Sequence, residues 1–236
     1  MTPARLLFLA LLLALSLPLP AADRRPNIVM LIADDQAWFD HGFMGHPHIR
    51  TPNLDQLAAQ GLLFTRGYVP TALCRPSLAS LMTGLYPHQH RITGNRVGPP
   101  VPEAQRPAAE RQLAQAFSDL PRLAALLGAA GYRSFQAGKW WEEDYSRGGV
   151  SAGMARDDGI DIGRKTLQPV LDFIDSSADK PFFLWYAPYL PHFPHNPPQR
   201  LLEPYQQAEL HPELAKYYAM IAWNDETIGS VMAHIQ

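Results

Sequence analysis

The sequence predicts an α/β fold with a mostly parallel sheet flanked by helices. Apolar runs of strand length alternate along the chain with segments that carry helical spacing, which is the pattern of such folds. Two of the runs, 28–33 and 182–187, are apolar throughout, as expected of strands buried on both faces of a parallel sheet. The 236 residues, 47% hydrophobic and 18% charged, suffice for one substantial core. A net charge of −2 provides no attraction for nucleic acid, so we expect no such partner.

The first 22 residues have the pattern of a secretory signal peptide. Arg5 supplies a basic start, and the apolar run 6–17 is too short to span a bilayer. The residues from Pro18 to Ala22 then offer a break and small side chains, so we expect cleavage near Ala22. An uncleaved membrane anchor is the alternative. No cysteine follows the run, so we do not expect a lipoprotein anchor. We therefore expect an exported protein, periplasmic or secreted and without a stable membrane anchor, whose folded domain is 23–236.

Each predicted element has a local signal in the sequence. Four largely apolar runs predict strands, at 28–33, 62–69, 132–137 and 182–187. Proline or N-cap residues start the helices and glycine ends two of them, which predicts helices at 51–60, 76–82, 119–130, 162–174 and 212–235. Segments rich in Pro, Gly and polar residues predict loops or irregular excursions, at 97–109, 140–158 and 188–198.

A pair of carboxylates, Asp34 and Asp35, ends the first predicted strand. Two like charges held side by side need a cation or a shared proton. A hard divalent cation bound through oxygen is one interpretation. A helix cap or a solvated turn is the other, and the pair alone does not decide between them.

The chain has a single cysteine, Cys74, two residues before Pro76. A lone cysteine is most often a small buried hydrophobic residue. In an exported chain, however, it would be an unpaired thiol in an oxidising compartment, which favours chemistry or processing at that residue. Pro76 suits the first turn of a helix, so the free N–H groups of the helix start would surround Cys74 and favour an anion such as sulfate or phosphate.

The polar residues of interest share one topological position, shortly after predicted strands. They are Asp34, Asp35, Cys74, Lys139 and His192. In open α/β sheets the ligand crevice lies beyond the carboxyl ends of the strands. We therefore expect these side chains to converge on one site.

We interpret several other histidines as structural residues. His41, His46 and His48 lie in one loop and raise the alternative of zinc, but their spacing matches no zinc-ligand pattern. We expect His88 and His90, which follow the helix of Cys74, to pack or form hydrogen bonds.

The run from Cys74 to Gly84 resembles the sulfatase signature, Cys-x-Pro-Ser-Arg-x-x-Leu-x-Thr-Gly. Further segments resemble the same family and follow its order: 25–28 with the acidic pair, 51–55, 84–88, 130–133 with 138–140, and 182–184 with 191–195. The resemblance runs across nearly the whole of 23–236. The sequence is identified as the N-terminal portion of a sulfatase catalytic domain.

The resemblance implies an alkaline phosphatase-like sandwich and hydrolysis of an organic sulfate ester. In that family a separate maturing enzyme oxidises the signature cysteine, here Cys74, to formylglycine. One hydroxyl of the hydrated aldehyde attacks sulfur, and the second then drives the loss of sulfate. Asp34, Asp35 and the modified Cys74 would bind the cation, Ca²⁺ in preference to Mg²⁺. Lys139 would stabilise sulfate oxygens, and His192 would contact and protonate the leaving group.

The sequence departs from the family pattern at three places. Leu78 stands where the signature has Arg, which assists cysteine maturation. Trp141 stands where the family often has a His that helps sulfate elimination, so either another residue such as His90 or His195 substitutes or regeneration is impaired. The family's later Asp-Asn-Gly strand end, which completes the metal site, does not occur before Gln236, so we expect the catalytic domain in 23–236 to be incomplete.

Two further interpretations stay open. The chain could be a catalytically incomplete sulfatase remnant, as the missing metal ligands suggest. It could also be a phosphatase or phosphodiesterase of the same superfamily, although those enzymes generally use Thr or Ser as the nucleophile. The expected substrate of a sulfatase is a sulfated small molecule or a sulfated carbohydrate.

Overall fold

The fold is built on one parallel β-sheet of four strands, seen in a computed structural model that describes residues 25–154 and 156–235. The strands are β1 (Ile28–Leu31), β2 (Arg133–Gly138), β3 (Ala152–Gly153) and β4 (Phe182–Ala187). Their order across the sheet is β1-β4-β2-β3, and every pairing is parallel. The predicted α/β class and mostly parallel sheet are therefore confirmed. The predicted signal peptide, 1–22, lies outside the described residues.

Strand β4 occupies the centre of the sheet because all six of its side chains are apolar and buried. Phe183 and Trp185 face one hydrophobic cluster, while Phe182, Leu184 and Tyr186 face the other. Hydrophobic burial on both faces is what selects a continuous apolar run for this position.

The helices cover both faces of the sheet. In chain order they are α1 (Pro52–Gln60), α2 (Cys74–Thr83), α3 (Pro87–His90), α4 (Arg106–Ser118), α5 (Leu123–Ala129), α6 (Gln168–Asp175), α7 (Gln199–Gln206) and α8 (Pro212–Ile235). Helices α2, α4 and α5 contribute to the cluster over Trp185, whereas α6 and α8 contribute to the cluster over Tyr186. None of the helices in the described part of the chain has the length and hydropathy that a membrane span requires.

The predicted strand at 62–69 is wrong, because this segment is irregular. Its largest apolar side chains are solvent-exposed, with Leu62 at 80%, Phe64 at 76% and Tyr68 at 87%. A strand needs a hydrogen-bonding neighbour, and no strand among the described residues pairs with this segment. β1 is likewise an edge strand, paired on one side only within residues 25–154 and 156–235.

Several predicted boundaries also need correction. The loop predicted at 97–109 gives way to helix α4 at Arg106, where a proline occupies the first turn. The predicted helix at 162–174 begins only at Gln168, because Ile162 pairs with Thr166 in an isolated bridge. Helix α7 was missed, and it contains Pro204. At the start of α4 the proline resembles a loop signal, although it is tolerated in a first helical turn.

Candidate active site

The acidic pair lies at the carboxyl end of β1, as predicted. The N–H of Asp34 donates to the carbonyl of Leu190 at 2.9 Å, which fixes the backbone beside the loop that follows β4. Asp34 is buried, with 8% of its surface exposed. Asp35 is exposed and has a φ of 63°, in the left-handed region that Asp tolerates better than most residues. The two carboxylates therefore differ, one enclosed and one open to solvent.

Cys74 is the first residue of helix α2, after the extended Leu73. One donor atom from each of Asp34, Asp35 and Cys74 lies within 4.8 Å of the other two. In the part of the chain that the structure describes, this is the only such group of three His, Cys, Asp or Glu residues. The two sequence motifs thus meet at one point, whereas the histidines of the 41–48 loop form no metal-like group.

Lys139 follows β2 and reaches the same point. Its Nζ lies 2.5 Å from Oδ2 of Asp34, and the residue is 3% exposed. Burial alone would lower the pKa of Lys139, but its interactions with Asp34 and Cys74 outweigh burial and raise that pKa above its usual value. Lys139 therefore stays a cation against the acidic pair.

Gly138 allows the backbone before Lys139 to approach the end of β4 closely. Gly138 has a φ of +97°, and a Cβ at this position would lie 2.1 Å from the carbonyl oxygen of Ala187. This close approach lets the N–H of Lys139 donate to the same oxygen at 2.6 Å. The end of β2 is thereby drawn against the end of β4.

His192 lies on the other side of Asp35, in the loop after β4. Its Nε2 is 3.5 Å from Oδ2 of Asp35. Its Nδ1 is 2.6 Å from the carbonyl of Phe193, and since a carbonyl only accepts, Nδ1 carries the hydrogen. Nε2 is thus the nitrogen that faces the acidic pair.

Four of these side chains line an open pocket of about 230 Å³, whereas His192 is not among the residues that line it. Asp34, Asp35, Cys74 and Lys139 provide its polar wall, and Leu78 belongs to its apolar wall. Carboxylate oxygens can hold a cation, while an ammonium group and a helix start favour an anion. The pocket therefore suits an anionic ester that bridges a cation and a lysine.

Trp141 stands in place of a family histidine. The structure shows its contacts and those of His90 and His195, the two candidates to replace that histidine. The ring of Trp141 lies 5.8 Å from Nζ of Lys139, within range of a cation–π contact. His90 is 2% exposed, and its Nε2 lies 3.0 Å from Oγ of Ser80. The ring of His195 packs beside Tyr217, with centroids 5.5 Å apart. Neither histidine lines the pocket.

A buried ion network behind Cys74 was not foreseen from the sequence. Arg75 is 3% exposed, and its Nε and NH2 donate to the two carboxylate oxygens of Glu142 at 2.7 and 2.8 Å. Its NH1 donates to Glu110 at 2.5 Å. Burial opposes the charge of Arg75, but the two carboxylates outweigh burial and raise its pKa. The pair ties the start of α2 to the segment that carries Lys139. The partners are 67 positions apart, and no motif in the sequence links them.

The fold is that of an α/β protein in which an acidic pair, a cysteine and a lysine meet at the carboxyl edge of the sheet. The protein-family model described as Sulfatase matches residues 26–236, and the chain belongs to the sulfatase family.

Curated relatives carry the same family name. Arylsulfatase A of Homo sapiens is 44% identical over 131 residues, which cover 56% of this chain and 24% of that protein. N-acetylgalactosamine-6-sulfatase of Canis lupus familiaris is 38% identical over 134 residues, again 56% of this chain and 24% of that protein. The match thus spans about a quarter of the length of these relatives.

Solved structures share the fold. The crystal structure of Ps i-CgsB has a TM-score of 0.73 at 23% identity, over 90% of this chain and 55% of that one. A structure in complex with D-glucosamine-2-N,6-O-disulfate has a TM-score of 0.62 at 23% identity, over 80% and 39% of the two chains. The phosphonate monoester hydrolase of Agrobacterium radiobacter has a TM-score of 0.63 at 21% identity, over 89% and 59%. These likenesses confirm the predicted architecture.

Proposed function

We propose that the protein containing this chain hydrolyses an organic sulfate ester in the pocket of Asp34, Asp35, Cys74 and Lys139. The observation that carries the proposal is the meeting of the signature cysteine with the acidic pair within 4.8 Å, at a site where Lys139 supplies a buried cation. Family membership supplies the expected reaction class.

The donor set fits a hard divalent cation. Asp34 and Asp35 offer carboxylate oxygens, and conversion of Cys74 to formylglycine would replace its sulfur by oxygen. Ca²⁺ accepts roughly six to eight oxygen ligands in flexible geometry, which an open pocket can provide. Mg²⁺ demands a regular octahedron instead. We therefore favour Ca²⁺. When bound, the cation would polarise the oxygens it contacts.

Cys74 is the proposed precursor of the nucleophile. As formylglycine it would supply a hydrated aldehyde, with one hydroxyl to attack sulfur and a second to expel sulfate. Its place at the first position of α2 puts it at the positive end of the helix dipole, which favours an anion. Lys139 would hold a sulfate oxygen as a point charge beside Asp34.

His192 is the proposed acid for the leaving group. Its Nδ1–H is held by the carbonyl of Phe193, so its orientation is set by the loop backbone. Its Nε2, in the protonated ring, can give a proton to the departing alkoxide, and the Asp35 carboxylate 3.5 Å away stabilises that charged ring. The acid role requires the imidazolium, because the neutral ring with its hydrogen on Nδ1 has none on Nε2.

The proposed substrates follow from the relatives. One is an arylsulfatase and another acts on an N-acetylgalactosamine-6-sulfate, and a structural neighbour binds a glucosamine disulfate. Sulfated carbohydrates and small aryl sulfates are therefore the classes to test. A formylglycine-generating enzyme is the expected partner, and export remains the expected route.

Hydrolysis of a phosphate or phosphonate ester is the second candidate, since the fold also serves a phosphonate monoester hydrolase. The cysteine at position 74 speaks against it, because phosphatases and phosphodiesterases of the superfamily generally use Thr or Ser as the nucleophile.

The test uses the gene product that contains this chain, produced with and without a maturing enzyme. Peptide mass spectrometry should find formylglycine at position 74 in the matured protein only. Matured protein with Ca²⁺ should turn over p-nitrophenyl sulfate, and Cys74→Ala should lower kcat by at least about 10³. Asp40→Asn, outside the proposed metal cluster, serves as the control. Preference for p-nitrophenyl phosphate would favour the second candidate, and a matured protein with no activity on either ester would favour the incomplete remnant.

A further inference from the structure

The loop that carries His192, residues 188–196, has little backbone hydrogen bonding of its own. Three of its residues are prolines, which have no N–H to donate: Pro188, Pro191 and Pro194. Among the described residues the loop's backbone is anchored to the sheet at Asp34, whose N–H donates to the carbonyl of Leu190 and which forms an isolated parallel bridge with Pro191. Phe193 is 70% exposed, so packing does not fix the outer half of the loop. Another group must hold it.

That group is the guanidinium of Arg164. Its NH2 donates to the carbonyls of Tyr189 and His192, both at 2.7 Å. Its NH1 donates to the carbonyl of Pro194 at 3.1 Å and to Oδ1 of Asn196 at 2.5 Å. One side chain thus binds four acceptors spread over residues 189–196. One of the four is the carbonyl of His192 itself.

Arg164 is itself held in place. It lies in the turn before helix α6, where its N–H donates to the carbonyl of Asp161 at 3.1 Å. Its guanidinium lies 5.9 Å from the ring centre of Trp223 on helix α8, within cation–π range. Among the described residues no carboxylate forms a salt bridge with Arg164. The positive charge is therefore directed at neutral loop acceptors, and such charge-assisted bonds are stronger than neutral ones.

We infer that Arg164 is a positioning residue, which orders the 188–196 loop and so holds Nε2 of His192 toward Asp35. The inference rests on the proposed function of His192 as the leaving-group acid. Arg has five donors in a rigid fork, whereas Lys has one donor centre that cannot span acceptors from Tyr189 to Asn196. A misplacement of about 1 Å is enough to reduce catalysis by about 10²-fold.

The kinetic test compares two sulfate esters with the matured gene product that contains this chain. p-Nitrophenyl sulfate has a leaving group that needs no proton, whereas an alkyl sulfate needs one. His192→Gln and Arg164→Ala should each lower kcat for the alkyl sulfate by at least about 10-fold more than for the p-nitrophenyl ester. Guanidinium chloride at millimolar concentration should restore Arg164→Ala but not His192→Gln. Arg164→Lys should behave as Arg164→Ala.

The matched control is Arg200→Ala, which removes an exposed arginine from a bidentate pair with Glu226. Arg200→Ala should leave the ratio of the kcat values for the two esters unchanged, with or without guanidinium. Equal losses on both esters for the Arg164 variants, with no guanidinium rescue, would reduce Arg164 to a general structural residue and overturn the inference.

A second measurement separates this inference from the proposed function. Hydrogen exchange of the 188–196 amides in the chain itself should accelerate at least about 10-fold in Arg164→Ala and stay unchanged in Arg200→Ala. Unchanged exchange in Arg164→Ala overturns the inference whatever the kinetics show. If exchange accelerates while His192→Gln spares the alkyl sulfate, the ordering role of Arg164 stands and the acid role of His192 fails.

Discussion

Replacing Glu142 with Gln removes one charge from the buried Arg75–Glu142 pair and should lower the free energy of unfolding by about 3 kcal/mol. Both residues are 3% exposed, so solvent does not screen the interaction. Unit charges about 4 Å apart attract by about 4 kcal/mol at an effective dielectric constant of about 20. Gln still accepts one N–H, and Glu110 stays 2.5 Å from the guanidinium, so part of that attraction is retained.

Urea denaturation followed by tryptophan fluorescence measures the change, and an unchanged m-value is required for the comparison. The matched control is Glu226→Gln, because Glu226 forms a bidentate pair with Arg200 whose side chains are 60% and 45% exposed. Exposed pairs contribute at most about 1 kcal/mol, so this variant should stay close to the parent. If Glu142→Gln costs no more than Glu226→Gln, burial does not decide the strength of these pairs and the reasoning is refuted.

Two further predictions concern buried positions beside the site. Burial lowers the pKa of His90 below its usual 6.5, so stability is complete above that pH and falls as the pH drops below it. His90→Gln should remove this part of the pH dependence, whereas the exposed His88→Gln should keep it, in urea midpoints at about pH 5 and about pH 8. Gly138→Ala should cost at least about 3 kcal/mol by thermal or urea unfolding, because its Cβ would meet a backbone oxygen at 2.1 Å. Gly128→Ala, in open space on helix α5, should instead stabilise by up to about 1 kcal/mol, and similar costs for both would contradict the steric account.

The central strand β4 could be predicted from sequence because burial on both faces leaves a continuous apolar run. The edge strand β1, whose residues are half-buried, carries the same kind of run. The same signal failed at 62–69, where apolar residues are present but no strand of the described residues supplies hydrogen bonds. An apolar run alone does not establish a strand, because strand formation depends on a partner distant in sequence. Helix α4 was missed for a local reason, since a proline in a first turn resembles a proline in a loop.

The site followed from topology more than from composition. Asp34, Cys74, Lys139 and His192 each come shortly after an apolar run or before a helix, and parallel strands bring such positions to one edge. The residues that support the site have no comparable signal in the sequence. Arg75 and Glu142 come into contact only in the folded chain. Arg164 binds mainly backbone carbonyls, which every residue possesses.

The four consecutive residues after Gly138 point into four different surroundings. Lys139 meets Asp34, Trp140 packs against Trp185 in the core, Trp141 lies beside the lysine, and Glu142 binds Arg75. An insertion or deletion of one residue here would move every side chain into its neighbour's surroundings at once. This segment therefore tolerates change only when all four residues are varied together. Libraries that aim to alter the pocket should vary residues 139–142 together with Arg75, the partner of Glu142.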